Sequence, residues 1–307
     1  MLNPELKPFL DRWGAEWAAL KPGAKPADRR AHFEVVAANM RLPTPDEVDT
    51  EQEHWVGSPS GQVRVRIFRH ASGGRQDALI YMHGGAWMQG SPETHWDITA
   101  RIAAWNRQTV ISVDYALAPE HPFPAAFNQV VAVAHWAHDN AETLGIDPAR
   151  IAIGGDSAGG NLAAAAAIEL RGAVPLIGQL LIYPACDFDM ARPSMIENAE
   201  APLLQTRGMD QVNAMYSPDT TLLSSDPRVA PLVAESHAGL PPAYIAVAEN
   251  DPLRDSGLAY AAALEAAGVP LMLDHGEGMI HGYLRAMEYC AESMASLRRM
   301  SGWLAAL

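Results

Sequence analysis

The sequence predicts an α/β protein built on a largely parallel sheet with helices on both faces. Three observations lead there. Short continuous apolar runs recur at Ala78 to Met82, Val110 to Val113, Ile151 to Ile153, Leu180 to Tyr183, Tyr244 to Ala248 and Leu271 to Leu273. Helix-periodic stretches separate most of them, the alternation expected of buried parallel strands joined by crossovers. The run Ile151-Ala152-Ile153 also leads through Gly155-Asp156-Ser157-Ala158-Gly159 into a helix-forming stretch ending near Leu170. Strand, Gly-x-Ser-x-Gly and helix in that order are the context of a nucleophile elbow.

Residues 1 to about 45 read as two helices. Leu6, Phe9, Leu10, Trp13, Trp17 and Leu20 recur at helical spacing until Pro22-Gly23, and Ala27 to Met40 repeats the pattern before Pro43 and Pro45. Too few Lys and Arg lie on the polar face for a membrane-surface helix, so packing on the chain's own domain is expected. Strands begin near residue 50, and Val63 to Phe68 alternates like a half-buried antiparallel strand near a sheet edge. Ala163 to Ala167 gives the helix after the elbow a small-residue face for the sheet. Residues 186–225, rich in Pro, Met and Ser with a weak helical stretch near Arg207 to Tyr216, interrupt the alternation as a candidate lid.

A chain of 307 residues can fold as one α/β unit, and 49% apolar with 19% charged residues is ordinary globular composition. The net charge of −14 argues against nucleic acid or anionic membranes as partners. No stretch approaches the roughly 20 apolar residues of a membrane span. The N-terminal residues lack the pattern of a signal peptide, which predicts a cytoplasmic protein. Cys186 and Cys290 fit reduced, packed thiols. Lysine occurs only at positions 7, 21 and 25, so there is no phosphate-binding Gly-Lys-Ser/Thr loop and no Ser-x-x-Lys pair. His-Glu-x-x-His and Cys-x-x-Cys are absent too, so the common metal and redox motifs are missing.

A serine hydroxyl needs a base to take its proton, and the base needs an acid to orient it. After Ser157 there are three histidines. His237 falls in a polar loop with an expected surface role, and His275 ends the last strand. His281, in the glycine-flanked loop Gly278 to Gly282, can reach back over the sheet edge and is the expected base. Asp251 follows the strand Tyr244 to Ala248 at the carboxyl end where sites gather, and is the expected acid ahead of Asp255 and Glu249. The loop His83-Gly84-Gly85-Ala86-Trp87 follows another strand and can present N–H donors to an oxyanion. Gly84 and Gly85, with Ala158 at the helix start, are the expected three donors. His83 is expected to brace the loop, while Trp87 suits either the pocket wall or the core.

With these blocks the chain resembles the hormone-sensitive lipase family of esterases, the bacterial family IV of the α/β-hydrolase superfamily. The resemblance spans residues 78–290 and adds Asp114 to Pro124, with its Ala-Pro-Glu-His-Pro run, and Asp251-Pro252-Leu253-Arg254-Asp255. It implies an eight-stranded sheet, the triad Ser157, Asp251 and His281, and no metal or cofactor. It also implies a helical cap made from residues 1–45 and the 186–225 insertion, on a catalytic domain of residues 46–307. Homodimers through the last strand and the C-terminal helices would follow.

The chain departs from the family pattern at Ala86, Ala116 and Ser256, where the family usually has Gly, Arg and Glu. If position 86 needs positive φ, its methyl is strained. The activity implied is carboxylesterase action on short acyl esters through an acyl-enzyme. The same triad serves amides, lactones and carbamates. A non-catalytic small-molecule receptor on this fold is the other class, set against by three filled triad positions.

Overall fold

The computed structural model describes residues 1–21 and 23–307; Pro22, expected to help end the first helix, lies outside the described residues. Among the described residues one eight-stranded sheet is flanked by ten α-helices. The strands are β1 (Val48–Ser58), β2 (Gly61–His70), β3 (Gln76–Met82), β4 (Thr109–Asp114), β5 (Ile146–Asp156), β6 (Leu176–Ile182), β7 (Ala243–Ala246) and β8 (Leu271–Asp274). Their spatial order is β1-β2-β4-β3-β5-β6-β7-β8. β1 with β2 and β2 with β4 pair antiparallel, and every other pair is parallel.

Period-two alternation divides the buried residues between two cores. Val65, Ile67, Ile80 and Met82 point to one face, under the helices Ala125–Asp139, Ala158–Glu169 and Arg254–Ala266. Phe68, Leu79 and Tyr81 point to the other, under Trp96–Asn106 and Ala291–Ala305. The small face of Ala163 to Ala167 is fully buried and packs on the central strands. The first helix, Leu6–Trp17, buries Leu6 and Phe9 in the second core, so it packs on its own domain as expected.

Strands were expected to begin near residue 50, but no run was named for β1. Of its 11 residues only Val48 and Val56 are buried, so this edge strand carries no apolar run. His237, expected at the surface, is instead buried, its Nε2 3.0 Å from the Pro231 carbonyl and its ring against Tyr260. The loop before β7 packs there on the helices Ala158–Glu169 and Arg254–Ala266. Cys186 and Cys290 are buried free thiols. Among the described residues no helix is long and apolar enough to cross a membrane.

The connection leaving β3 runs to β4 on one side, and the connection leaving its neighbour β5 runs to β6 on the other. The carboxyl ends of β3 and β5 therefore flank a crevice at a topological switch point. The oxyanion-loop and elbow segments emerge at that crevice.

Candidate active site

Ser157 has φ 56° and ψ −119°, a backbone that L-residues seldom adopt, at the junction of β5 and the helix Ala158–Glu169. Such strain persists only where the surroundings over-determine it. Here close approach does so. A Cβ on Gly155 or Gly159 would collide with the Met82 carbonyl of β3, which leaves room only for glycine. The elbow is thereby clamped against the loop that follows β3.

The turn directs the Ser157 hydroxyl at His281. Ser157 Oγ lies 2.8 Å from His281 Nε2, and His281 Nδ1 lies 2.7 Å from Asp251 Oδ2. Asp251 is wholly buried, its Oδ1 accepting the Leu253 N–H at 2.8 Å. An ionised carboxylate there calls for a proton on Nδ1, which leaves Nε2 to accept the serine proton. Three residues remote in sequence thus form one hydrogen-bonded chain.

The other acids and histidines stand elsewhere. Asp255 accepts the Ser194 N–H and pairs with Arg254, bracing the 186–225 segment. Glu249 binds the Gly278 N–H and the N-terminal amine. His275 is exposed. His83 is buried, stacks on Tyr115 at 4.2 Å and bonds the Gly84 carbonyl through Nδ1. Burial, with nearby His95, drives its pKa down to about 3, so it stays neutral as a loop brace.

One expected oxyanion donor needs correction. The Gly84 N–H is already committed to Asp156 Oδ1 at 2.9 Å and to His95 Nε2 at 3.2 Å. Among the described residues the N–H groups of Gly85, Ala86 and Ala158 have no protein acceptor, and all three residues line space beside Ser157. The donor set the geometry offers is therefore Gly85, Ala86 and Ala158. The substitution at position 86 does carry strain: Ala86 has φ 55° and Trp87 φ 56°.

Asp156 is the residue sequence reasoning passed over. Buried beside the nucleophile, it accepts from the Gly84 N–H and from Tyr81 Oη at 2.8 Å. Burial opposes its ionisation, but the Arg285 charge and the Tyr81 hydroxyl hold its carboxyl below the usual range. Arg285 Nη2 donates to His95 Nε2 at 2.7 Å, which puts the His95 proton on Nδ1. Desolvation lowers the His95 pKa in keeping with that neutral ring. A carboxylate immediately before the elbow serine was the available sequence signal.

Two cavities meet at Ser157. One, of about 570 Å³, is lined by apolar residues including Trp87, Phe188, Met195, Leu204 and Val212. The buried Trp87 ring lines this cavity and stacks on Tyr216 at 4.2 Å. The second, of about 530 Å³, is lined by Trp13, Trp17, Phe33, His281 and Arg285. The Asp114–Pro124 block ties the N-terminal helices to the body: Glu120 pairs with Arg30 at 2.6 Å, and Tyr115 Oη donates to the His83 carbonyl. Ser256 Oγ accepts the N–H groups of Cys186 and Asp187.

The family described as alpha/beta hydrolase fold matches residues 79–285, from β3 through the base loop. The chain belongs to the alpha/beta hydrolase family. Within these hydrolases it falls in the hormone-sensitive-lipase-like group that its motifs resemble. It is 39% identical to the carboxylesterase NlhH of Mycobacterium tuberculosis, over 97% of this chain and 96% of that protein. It is 37% identical to an ethyl acetate hydrolase of Pseudomonas putida, over 92% of each. The hyperthermophilic esterase of Pyrobaculum calidifontis superposes with a TM-score of 0.91 at 32% identity, covering 99% of this chain and 98% of that one. This alpha/beta hydrolase is a carboxylic ester hydrolase.

Proposed function

We propose that the protein hydrolyses short-chain carboxylic esters through an acyl-enzyme on Ser157. His281 takes the hydroxyl proton as Oγ attacks the carbonyl, held in its tautomer by Asp251. The tetrahedral oxyanion receives N–H bonds from Gly85, Ala86 and Ala158, strengthened by the positive end of the helix Ala158–Glu169. His281 then protonates the departing alcohol, and a water activated by the same imidazole releases the acid.

The observation that carries this reading is the unbroken chain from Ser157 Oγ through His281 to Asp251, at 2.8 and 2.7 Å. The 570 Å³ apolar cavity beside Trp87 suits a short acyl chain, and similarity to an ethyl acetate hydrolase favours the same size class. In this reading residues 1–45 and 186–225 cap the site. The enzyme is cytoplasmic and pairs through β8 and the helix Ala291–Ala305.

Replacing Ser157 by Ala tests the mechanism. We expect p-nitrophenyl acetate turnover to fall by about 10⁶ and labelling by a fluorophosphonate to disappear. Near-wild-type turnover in the variant would end it. Across p-nitrophenyl esters of rising acyl length, kcat/KM should peak at six carbons or fewer; a peak at twelve or more overturns the size class.

A further inference from the structure

The cavity on the His281 side has a cationic character that ester cleavage itself does not require. Under the reading above, His281 protonates the leaving oxygen. His281 lines this cavity and not the one beside Trp87, so the alcohol half of the ester belongs here.

Lys21, Arg29 and Arg285 line it, and its one carboxylate, Asp156, is occupied by Gly84 and Tyr81. Arg285 is occupied too, donating to the Thr94 carbonyl and to His95. Arg29 differs. Its Nε donates to Gln89 Oε1 at 2.8 Å, and its guanidinium lies over the Trp17 ring at 4.7 Å. Those two contacts fix its plane. Among the described residues its Nη groups have no acceptor and no carboxylate lies within ion-pair reach, although Arg30 beside it pairs with Glu120. In a chain of net charge −14, a held but unpaired guanidinium at the junction of both cavities is a ready anion site. Desolvation already lowers the Arg29 pKa, and an incoming carboxylate would relieve that cost. Trp13, Trp17 and Phe33 supply flat apolar walls beside it.

We propose that Arg29 anchors a carboxylate on the alcohol half of the ester, so that esters of carboxylated aromatic alcohols are preferred substrates. The inference rests on the ester-hydrolase mechanism above and adds a substrate class to it.

The test compares 4-acetoxybenzoate with 4-acetoxybenzamide, its neutral counterpart of similar shape, each rate divided by that ester's own hydrolysis in buffer. Wild type should favour the benzoate by about tenfold in kcat/KM, the scale of one charge-assisted bidentate contact, and added salt should shrink the ratio. Arg29→Gln should bring the ratio near one, and Arg29→Lys, with the charge but not the fork, should fall between. A wild-type ratio at or below one, or one unchanged in Arg29→Gln, overturns the anchor. Phenyl acetate separates the two readings. If it is cleaved without any benzoate preference, the anchor alone fails; if no ester is cleaved, the mechanism fails and the anchor with it.

Discussion

Asp156 Oδ1 accepts the Gly84 N–H at 2.9 Å, so one buried carboxylate joins the Ser157 elbow to the loop that carries the proposed oxyanion donors. The bond removes Gly84 from the donor set and holds Gly85 and Ala86 beside the serine. Asp156 is thus a positioning residue. Asp156→Asn keeps an acceptor for Gly84 but loses the charge that makes the bond strong. We expect kcat to fall by about tenfold while KM stays within threefold, and Asp156→Leu to lose more, because a misplaced donor costs chiefly in the transition state. An equal rise in KM with kcat intact would contradict this. Steady-state kinetics on samples shown folded by circular dichroism make the measurement.

Asp251→Asn should leave the fold intact but favour the wrong imidazole tautomer, since the amide can donate to Nδ1. A drop in kcat of about 10⁴ is expected, with fluorophosphonate labelling slowed in step. A loss under tenfold would mean that another group orients His281.

Ala86 in the left-handed region costs about 1–2 kcal/mol relative to a relaxed residue. Glycine removes that strain but adds about 0.4–1 kcal/mol of unfolded-chain entropy, so the strain term wins narrowly. Ala86→Gly should raise stability by about 0.5–1 kcal/mol in urea unfolding and keep the position 86 N–H for catalysis. Destabilisation would show that the methyl packs favourably enough to outweigh its backbone.

His83 is buried and neutral, with a pKa lowered to about 3 by desolvation and by His95. The unfolded chain binds a proton at this site near pH 6.5, and the folded chain does so only far below it. Stability from this residue is therefore complete above about pH 6.5 and is lost as pH falls toward 3. Between pH 6 and 5 its share approaches about 1.4 kcal/mol per pH unit. Urea unfolding of wild type and His83→Gln at pH 7, 6 and 5 measures it. The difference between the two should change with pH by that slope, and parallel profiles would refute a buried neutral ring.

The elbow was legible because its requirement is local: a strand, small residues on both sides of Ser157, then a helix. Asp251 and His281 were legible because each follows an apolar strand, β7 or β8, at its carboxyl end. Gly84 was misassigned because three successive N–H groups are indistinguishable in a string of residues. Only the placement of the Asp156 side chain decides which one is spent. Strand β1 had no named run because an edge strand with two buried residues carries no hydrophobic pattern, and His237 was placed at the surface because its burial comes from helices remote in sequence. Arg29 carried no signal at all, since an arginine on an amphipathic helix is ordinary until its lack of a carboxylate partner is seen.

The amino-acid order alone determined the α/β class and pointed to Ser157, Asp251 and His281 as the proposed nucleophile, acid and base. Those properties are written in residue type and short-range spacing, where strand, turn and helix impose their own requirements. Tertiary structure alone decided which backbone donors remain free, how the space at Ser157 divides into two cavities, and which guanidinium faces that space without a partner. Each of those depends on how far a charge or an N–H lies from groups remote along the chain, and packing sets such distances.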